Sequence, residues 1–142
     1  MFDPSLIDRQ YWSATVLVEA GAILRFIESV AGEPPSADAS TPLEAPAALV
    51  LSLVPFEALS TLLGAEARQI HASEFQLEQL QSVRAGDRLE VRSTIVDSVR
   101  HEGALGITDV VTVDDEGRDG VTGRPVYRAR RIYAVLGPRG RA

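Results

Sequence analysis

The sequence contains no cysteine and only two histidines, His71 and His101. The first absence excludes disulfides, thiolate nucleophiles and cysteine-based metal sites, and it is what a reducing cytoplasm permits. The second leaves few side chains able to titrate near neutral pH. His71 opens a β-prone run and reads as packed or hydrogen-bonded, whereas His101 falls in an expected turn and reads as exposed. No second histidine and no suitably spaced carboxylate pair accompanies either one, so neither a metal site nor a cofactor is expected.

Basic residues are also scarce, 14 against 20 acidic ones, for a formal charge of −6. Nucleic-acid modules concentrate Lys and Arg against phosphate, so a nucleic-acid partner is not expected. The basic residues that do cluster, Arg128, Arg130, Arg131, Arg139 and Arg141, read as an exposed strand face followed by a solvated tail. A landing surface for an acidic or phosphorylated partner is the alternative. The one long apolar run, residues 45–63, is interrupted by Ser52, Pro55, Glu57, Ser60 and Thr61 and lacks flanking positive charge. It reads as a helix buried in protein rather than a membrane span. The N-terminal residues lack a basic-then-apolar leader pattern, and the cytoplasm is the expected location.

What is present fits one folded domain spanning residues 1–142, with 45% hydrophobic and 24% charged residues. Residues 137–142 read as a flexible tail. Thr15, Val16, Leu17 and Val18 form a short β-prone run, and Ile23, Phe26, Ile27 and Val30 then recur at i, i+3, i+4 and i+7, the stripe of an amphipathic helix. Residues 32–42 hold three prolines and read as a loop. A second, all-round apolar helix is expected from about Pro46 to Leu63, closed by Gly64 and bent or broken at Pro55. Such a helix must be enclosed by protein.

The enclosing material is expected in four strands, residues 69–77, 88–99, 104–114 and 125–136. Leu105, Ile107, Val111 and Val113 in the third, and Tyr127, Ala129, Tyr133 and Val135 in the fourth, alternate as in a sheet with one covered face. Turns are expected at Ala85-Gly86-Asp87, at Glu102-Gly103 and at Asp114-Asp115-Glu116-Gly117, joining the strands as a meander. The layout is α+β, an antiparallel sheet wrapped around a central apolar helix, and its open edge favours dimerisation.

Four local stretches carry a family likeness: Val18-Glu19 followed by Ala22-Ile23-Leu24-Arg25-Phe26, then Ala45-Pro46, then Val83-Arg84-Ala85-Gly86-Asp87, then Val96-Asp97-Ser98-Val99-Arg100. In this order and spacing the chain resembles the MaoC-like (R)-specific hydratase and dehydratase family of the hot-dog fold. The likeness is greatest to the non-catalytic subunits of mycobacterial-type (3R)-hydroxyacyl-ACP dehydratases. It implies a single hot-dog domain, an acyl thioester of CoA or acyl carrier protein as ligand, and a place in fatty acid or polyketide metabolism. It also implies pairing with a second hot-dog unit, either a catalytic MaoC-like subunit or a second copy.

Dehydration of a 3-hydroxyacyl thioester needs a base for the C2 proton, an acid for the departing hydroxyl, and donors for the thioester oxygen. Catalytic members of the family carry Asp and His in a Gly-Asp-x-Asn-Pro-x-His loop after the first helix. At the matching positions this chain has Gly32 in place, Glu33 for Asp, Pro35 for Asn, Ser36 for Pro and Asp38 for His. Two carboxylates can share acid and base work only if burial separates their pKa values, so Glu33 and Asp38 are expected to be non-catalytic. The amides of Ala47 and Ala48 are the expected donors to the thioester oxygen, and Leu53, Val54 and Phe56, with Leu49, are expected to line the acyl chain. For Glu33 and Asp38, read as a solvated acidic loop, the alternative is an active carboxylate pair; for the other two groups the alternatives are an ordinary helix start and plain core packing.

Three functions follow. The first is a non-catalytic subunit that shapes the substrate pocket of a heteromeric (3R)-hydroxyacyl-thioester dehydratase or enoyl-thioester hydratase. The second is a self-sufficient hot-dog hydratase using Glu33 and Asp38, or an acyl thioesterase using Glu57. The third is an acyl-thioester binding module without catalysis.

Overall fold

The computed structural model describes residues 4–32, 43–104 and 106–137. Glu33, Asp38, Leu105 and residues 138–142 of the expected tail lie outside the described residues. In chain order the elements are β1 (Arg9–Leu17), α1 (Ala20–Ala31), α2 (Ala47–Leu51), α3 (Phe56–Leu63), β2 (Ile70–Gln79), β3 (Arg88–Gly103), β4 (Gly106–Asp119) and β5 (Pro125–Leu136). All five strands form one antiparallel sheet in the order β1-β3-β4-β5-β2. No helix among the described residues is long and apolar enough to cross a membrane.

The helix expected from Pro46 to Leu63 is two helices. Pro55 has no amide to donate and disfavours helical backbone before it, so α2 stops at Leu51 and Pro55 becomes the N-cap of α3. Nor is this segment enclosed on all sides. Val50, Val54 and Leu59 are buried against the sheet, while Ala47, Ala48, Phe56 and Glu57 are exposed.

The meander also needs correction. β3, β4 and β5 are joined by hairpins, but β2 pairs with β5 instead of β3. The expected turn at Asp114-Asp115-Glu116-Gly117 is strand, because β4 continues to Asp119. Its turn-like composition serves other ends: Asp115 faces the core, Glu116 pairs with Arg118 and Arg92, and Gly117 lies under the Tyr127 ring. The hairpin instead closes over residues 120–124, where Asp119 Oδ1 accepts the amides of Val121 (2.8 Å) and Thr122 (2.9 Å). The first strand is longer than expected and bulged between Gln10 and Trp12, which hides its alternation. His101 belongs to β3 and not to a turn.

The core divides in two. One cluster joins Val18, Ile23, Val50, Val54, Leu89, Val91 and Tyr127 beneath α2, and the other joins Leu59, Ile70, Ile95, Val111, Val113 and Tyr133 beneath α3. Between them, on the same covered face, the strands carry Ser93, Asp115 and Arg131. Arg131 is only 3% exposed, so the basic cluster of β5 is not a uniformly exposed face.

Candidate functional site

The turn Ala85-Gly86-Asp87 fixes the approach to both helical regions. Gly86 has φ 90°, a left-handed conformation that costs glycine little, and Asp87 Oδ2 accepts the Arg84 amide at 2.8 Å. The Gly86 amide donates to the Val18 carbonyl at 2.7 Å, and the Val18 amide donates to the Asp87 carbonyl at 2.8 Å, just before α1 begins. On the other side Ala45 N–H donates to Val83 O (2.6 Å) and Ala85 N–H to Leu43 O (2.7 Å), with Glu44 bridged to Arg84. This short ladder delivers the chain to Pro46, the N-cap of α2, and leaves Ala47 and Ala48 exposed in its first turn.

The residues expected to line an acyl chain separate by depth. Val54 is buried in the core cluster, and Leu49 and Leu53 pack half-buried against it. Phe56 stands at the start of α3, partly exposed, its ring 6.2 Å from that of Tyr133. Tyr133 in turn meets Phe75 of β2 edge-on at 5.9 Å. Phe56, Tyr133 and Phe75 therefore form an aromatic lip between α3 and the edge of the sheet. The spacing of Phe75 from either partner in sequence gave no sign of it. Glu57 is exposed in the first turn of α3, where a carboxylate suits the helix dipole.

Below the lip lies the polar cluster that sequence reasoning missed. Arg131 approaches Asp115 with Nε at 2.8 Å from Oδ2 and Nη2 at 2.9 Å from Oδ1. Its Nη1 donates to Tyr133 Oη at 2.9 Å, and Nη2 also reaches Tyr11 Oη (3.1 Å) and Ser93 Oγ (3.2 Å). Ser93 Oγ lies 2.6 Å from Asp115 Oδ1 and 2.8 Å from Tyr11 Oη. An ionised carboxylate only accepts, so the Ser93 proton points to Asp115 and the Tyr11 proton to Ser93. Burial pushes the Asp115 carboxyl above its ordinary value against the pull of Arg131, and burial likewise raises Tyr11. Burial opposes the Arg131 charge, but the Asp115 hydrogen bond and charge outweigh it and hold the guanidinium protonated. Nearby Tyr127, fully buried, has an Oη without a hydrogen-bond partner among the described residues, and burial raises its pKa.

His71 on β2 and His101 on β3 are both exposed, each remote in sequence and strand from the α2 start. Among the described residues no group of three or more His, Cys, Asp or Glu could hold a metal ion. Arg128 and Arg130 face the outer side of the sheet, in a groove of about 680 Å³ shared with Arg92, Arg118, Asp114 and Glu116. Arg130 is tied to Asp114 by two hydrogen bonds of 2.8 and 3.0 Å. A smaller cavity of about 210 Å³ opens at the far end of α3 between Leu63, Val111, Val135 and the Arg100–Asp109 ion pair. None of the expected acyl-lining residues borders it.

Comparison with known families places this framework. Residues 5–128 match the FAS1-like, dehydratase domain region. The chain belongs to that family. Comparison with curated protein sequences gives no match. Among solved structures the chain is similar to the C-terminally truncated HadBC (3R)-hydroxyacyl-ACP dehydratase complex from Mycobacterium tuberculosis, with TM-score 0.70, 18% identity, and 91% of this chain and 96% of that one covered. The ChsH1-ChsH2 complex of the same organism gives TM-score 0.69 and 14% identity over 94% of this chain and 88% of that one. A MaoC-like dehydratase from Rhodospirillum rubrum gives 0.65 and 20% over 93% of each chain. The hot-dog fold expected from the sequence is thus the fold of this dehydratase-family chain.

Proposed function

We propose that this chain is the non-catalytic subunit of a heteromeric (3R)-hydroxyacyl-thioester dehydratase or enoyl-thioester hydratase, shaping the pocket while a MaoC-like partner supplies Asp and His. The observation that carries the reading is the position of the histidines: Asp38 stands where the family's catalytic histidine belongs, and His71 and His101 are exposed on β2 and β3. Loss of water from a 3-hydroxyacyl thioester needs separate groups for the C2 proton and the departing hydroxyl. Two carboxylates supply that division only when their environments force their pKa values apart.

This chain's own share is binding. The amides of Ala47 and Ala48, in the first helical turn, donate to the oxygen of an acyl thioester of CoA or acyl carrier protein. Their methyl side chains let a ligand come close. Leu53 and Phe56 offer an apolar wall for the acyl chain, and buried Val54 supports that wall from behind. The two complexes named above are themselves assemblies of different chains, which supports pairing with a distinct subunit.

Co-expression with a MaoC-like chain bearing the intact Asp/His loop tests the reading. The expected result is a stable complex that hydrates crotonyl-CoA, with the purified chain alone inactive. Turnover by the chain alone, abolished by Glu33→Gln or Asp38→Asn, overturns it.

A further inference from the structure

We infer that Glu74 and Glu78, on the outer row of the edge strand β2, disfavour pairing with a second copy of this chain and favour a partner strand with basic side chains at the opposed positions. The identity of the partner rests on the heteromeric reading above; the bias against self-pairing rests on the strand alone. β2 stands last in the sheet and is hydrogen-bonded only to β5 among the described residues. An unpaired edge of this kind offers a row of amides and carbonyls to another strand.

The two faces of β2 differ. Phe75 and Leu77 oppose Arg131 and Ala129 of β5 and so look toward the covered side. Phe75 is 49% exposed, and with partly exposed Phe56 it makes the aromatic lip an uncovered apolar strip. The outer row is Glu74, Gln76 and Glu78, opposing Ile132, Arg130 and Arg128. The Gln76 amide donates to Glu74 at 3.1 Å, and neither glutamate has an ion-pair partner within 4 Å among those described.

Consider two copies of β2 pairing antiparallel in the register that sets Phe75 opposite Leu77 in both directions. Gln76 then faces Gln76, and Glu74 faces Glu78 twice. Like charges directly opposed across strands are destabilising, whereas opposite charges stabilise. The register that buries the apolar strip therefore sets two carboxylate pairs against self-association, and a strand with Lys or Arg at those two positions converts both into ion pairs. This selects a distinct subunit over a second copy while leaving the apolar contact unchanged.

The sequence contains no lysine, which makes the test specific. Glu74→Lys places a lysine opposite Glu78 in both directions of the same register. Sedimentation equilibrium of the full chain is expected to show a self-association Kd at least about tenfold lower for Glu74→Lys than for wild type. The Glu74→Lys/Glu78→Lys double variant, again with like charges opposed, is expected to lose that gain. In the Glu74→Lys variant, zero-length carbodiimide coupling should join the introduced lysine of one copy to Glu78 of the other, read by peptide mass spectrometry. Both positions are exposed, and circular dichroism confirms that each variant folds. Wild-type self-association as tight as that of Glu74→Lys, or the same gain in the double variant, overturns the inference. An active complex whose assembly is unmoved by the double variant also overturns it, while leaving the subunit reading standing.

Discussion

Arg131 and Asp115 lie diagonally across β5 and β4, with an Nε–Oδ2 ion-pair contact of 2.8 Å and an Nη2–Oδ1 hydrogen bond of 2.9 Å, each side chain 4% exposed or less. An ion pair so deep is held by the hydroxyls around it: Ser93, Tyr11 and Tyr133 supply the further partners that a buried charge requires. It separates the apolar cluster under α2 from the one under α3.

Removing one member should therefore cost more than removing both. Asp115→Ala is expected to destabilise the fold by about 3–5 kcal/mol, since it strands the Arg131 charge in the core. The double variant Asp115→Leu/Arg131→Met should recover much of that loss. Urea unfolding followed by circular dichroism checks both, and a single variant no worse than the double contradicts the account.

Gly117 and Tyr127 are opposed on β4 and β5, and a methyl at Gly117 would sit 2.1 Å from Tyr127 Cε1. Gly117→Ala should cost roughly 1–3 kcal/mol by overpacking. Tyr127→Phe removes a buried hydroxyl that makes no hydrogen bond among the described residues and should leave the melting temperature equal or higher. A clear drop for Tyr127→Phe in a thermal melt would falsify this assignment of the hydroxyl.

The turn that joins β1, the approach to α2 and β3 should be sensitive at its centre. Gly86 has φ 90°, so Gly86→Ala is expected to cost about 1 kcal/mol, and Asp87→Ala a similar amount through loss of the Arg84 amide bond. Because the same ladder leads to Ala47 and Ala48, the function proposed above has both variants also weakening acyl-CoA binding by the proposed complex. Calorimetric titration separates that effect from stability.

Asp119 gives a pH dependence of definite sign. The amides of Thr122 and Val121 hold its carboxyl below its ordinary 3.8. A carboxyl with a depressed folded value contributes stability above its unfolded pKa and loses it as the pH falls through the folded one. The stability difference between wild type and Asp119→Ala should thus be constant at neutral pH and shrink on acidification below 3.8. NMR titration of the Asp119 carboxyl should give a midpoint below 3.8, and a midpoint above it contradicts the turn bonds.

Much of the fold was legible because its signals are local. The i, i+3, i+4, i+7 stripe gave α1, Pro55 marked the helix break, and Gly86-Asp87 marked a turn whose bonds are as its chemistry requires. The errors came where distant strands decide. Asp114-Asp115-Glu116-Gly117 has the composition of a turn, yet pairing with Arg131 and room for Tyr127 made it strand. β2 carried no sequence signal that it would cross to β5, since register between distant strands depends on which faces meet. Of the candidate site, Ala47, Ala48, Leu53 and Phe56 could be named in advance, but Phe75 and Tyr133 could not be joined to Phe56 without the sheet order.

By itself the sequence determined the lack of cysteine, the α+β class and the family likeness, because each depends on residue identity or short spacing. Only the tertiary structure decided that Arg131 and Asp115 meet in the core, and that Glu74 and Glu78 line the last strand of the sheet beside an apolar lip. Those facts depend on strand order and face, and a side chain's charge becomes costly, bonded or selective only once the fold has set what stands opposite it.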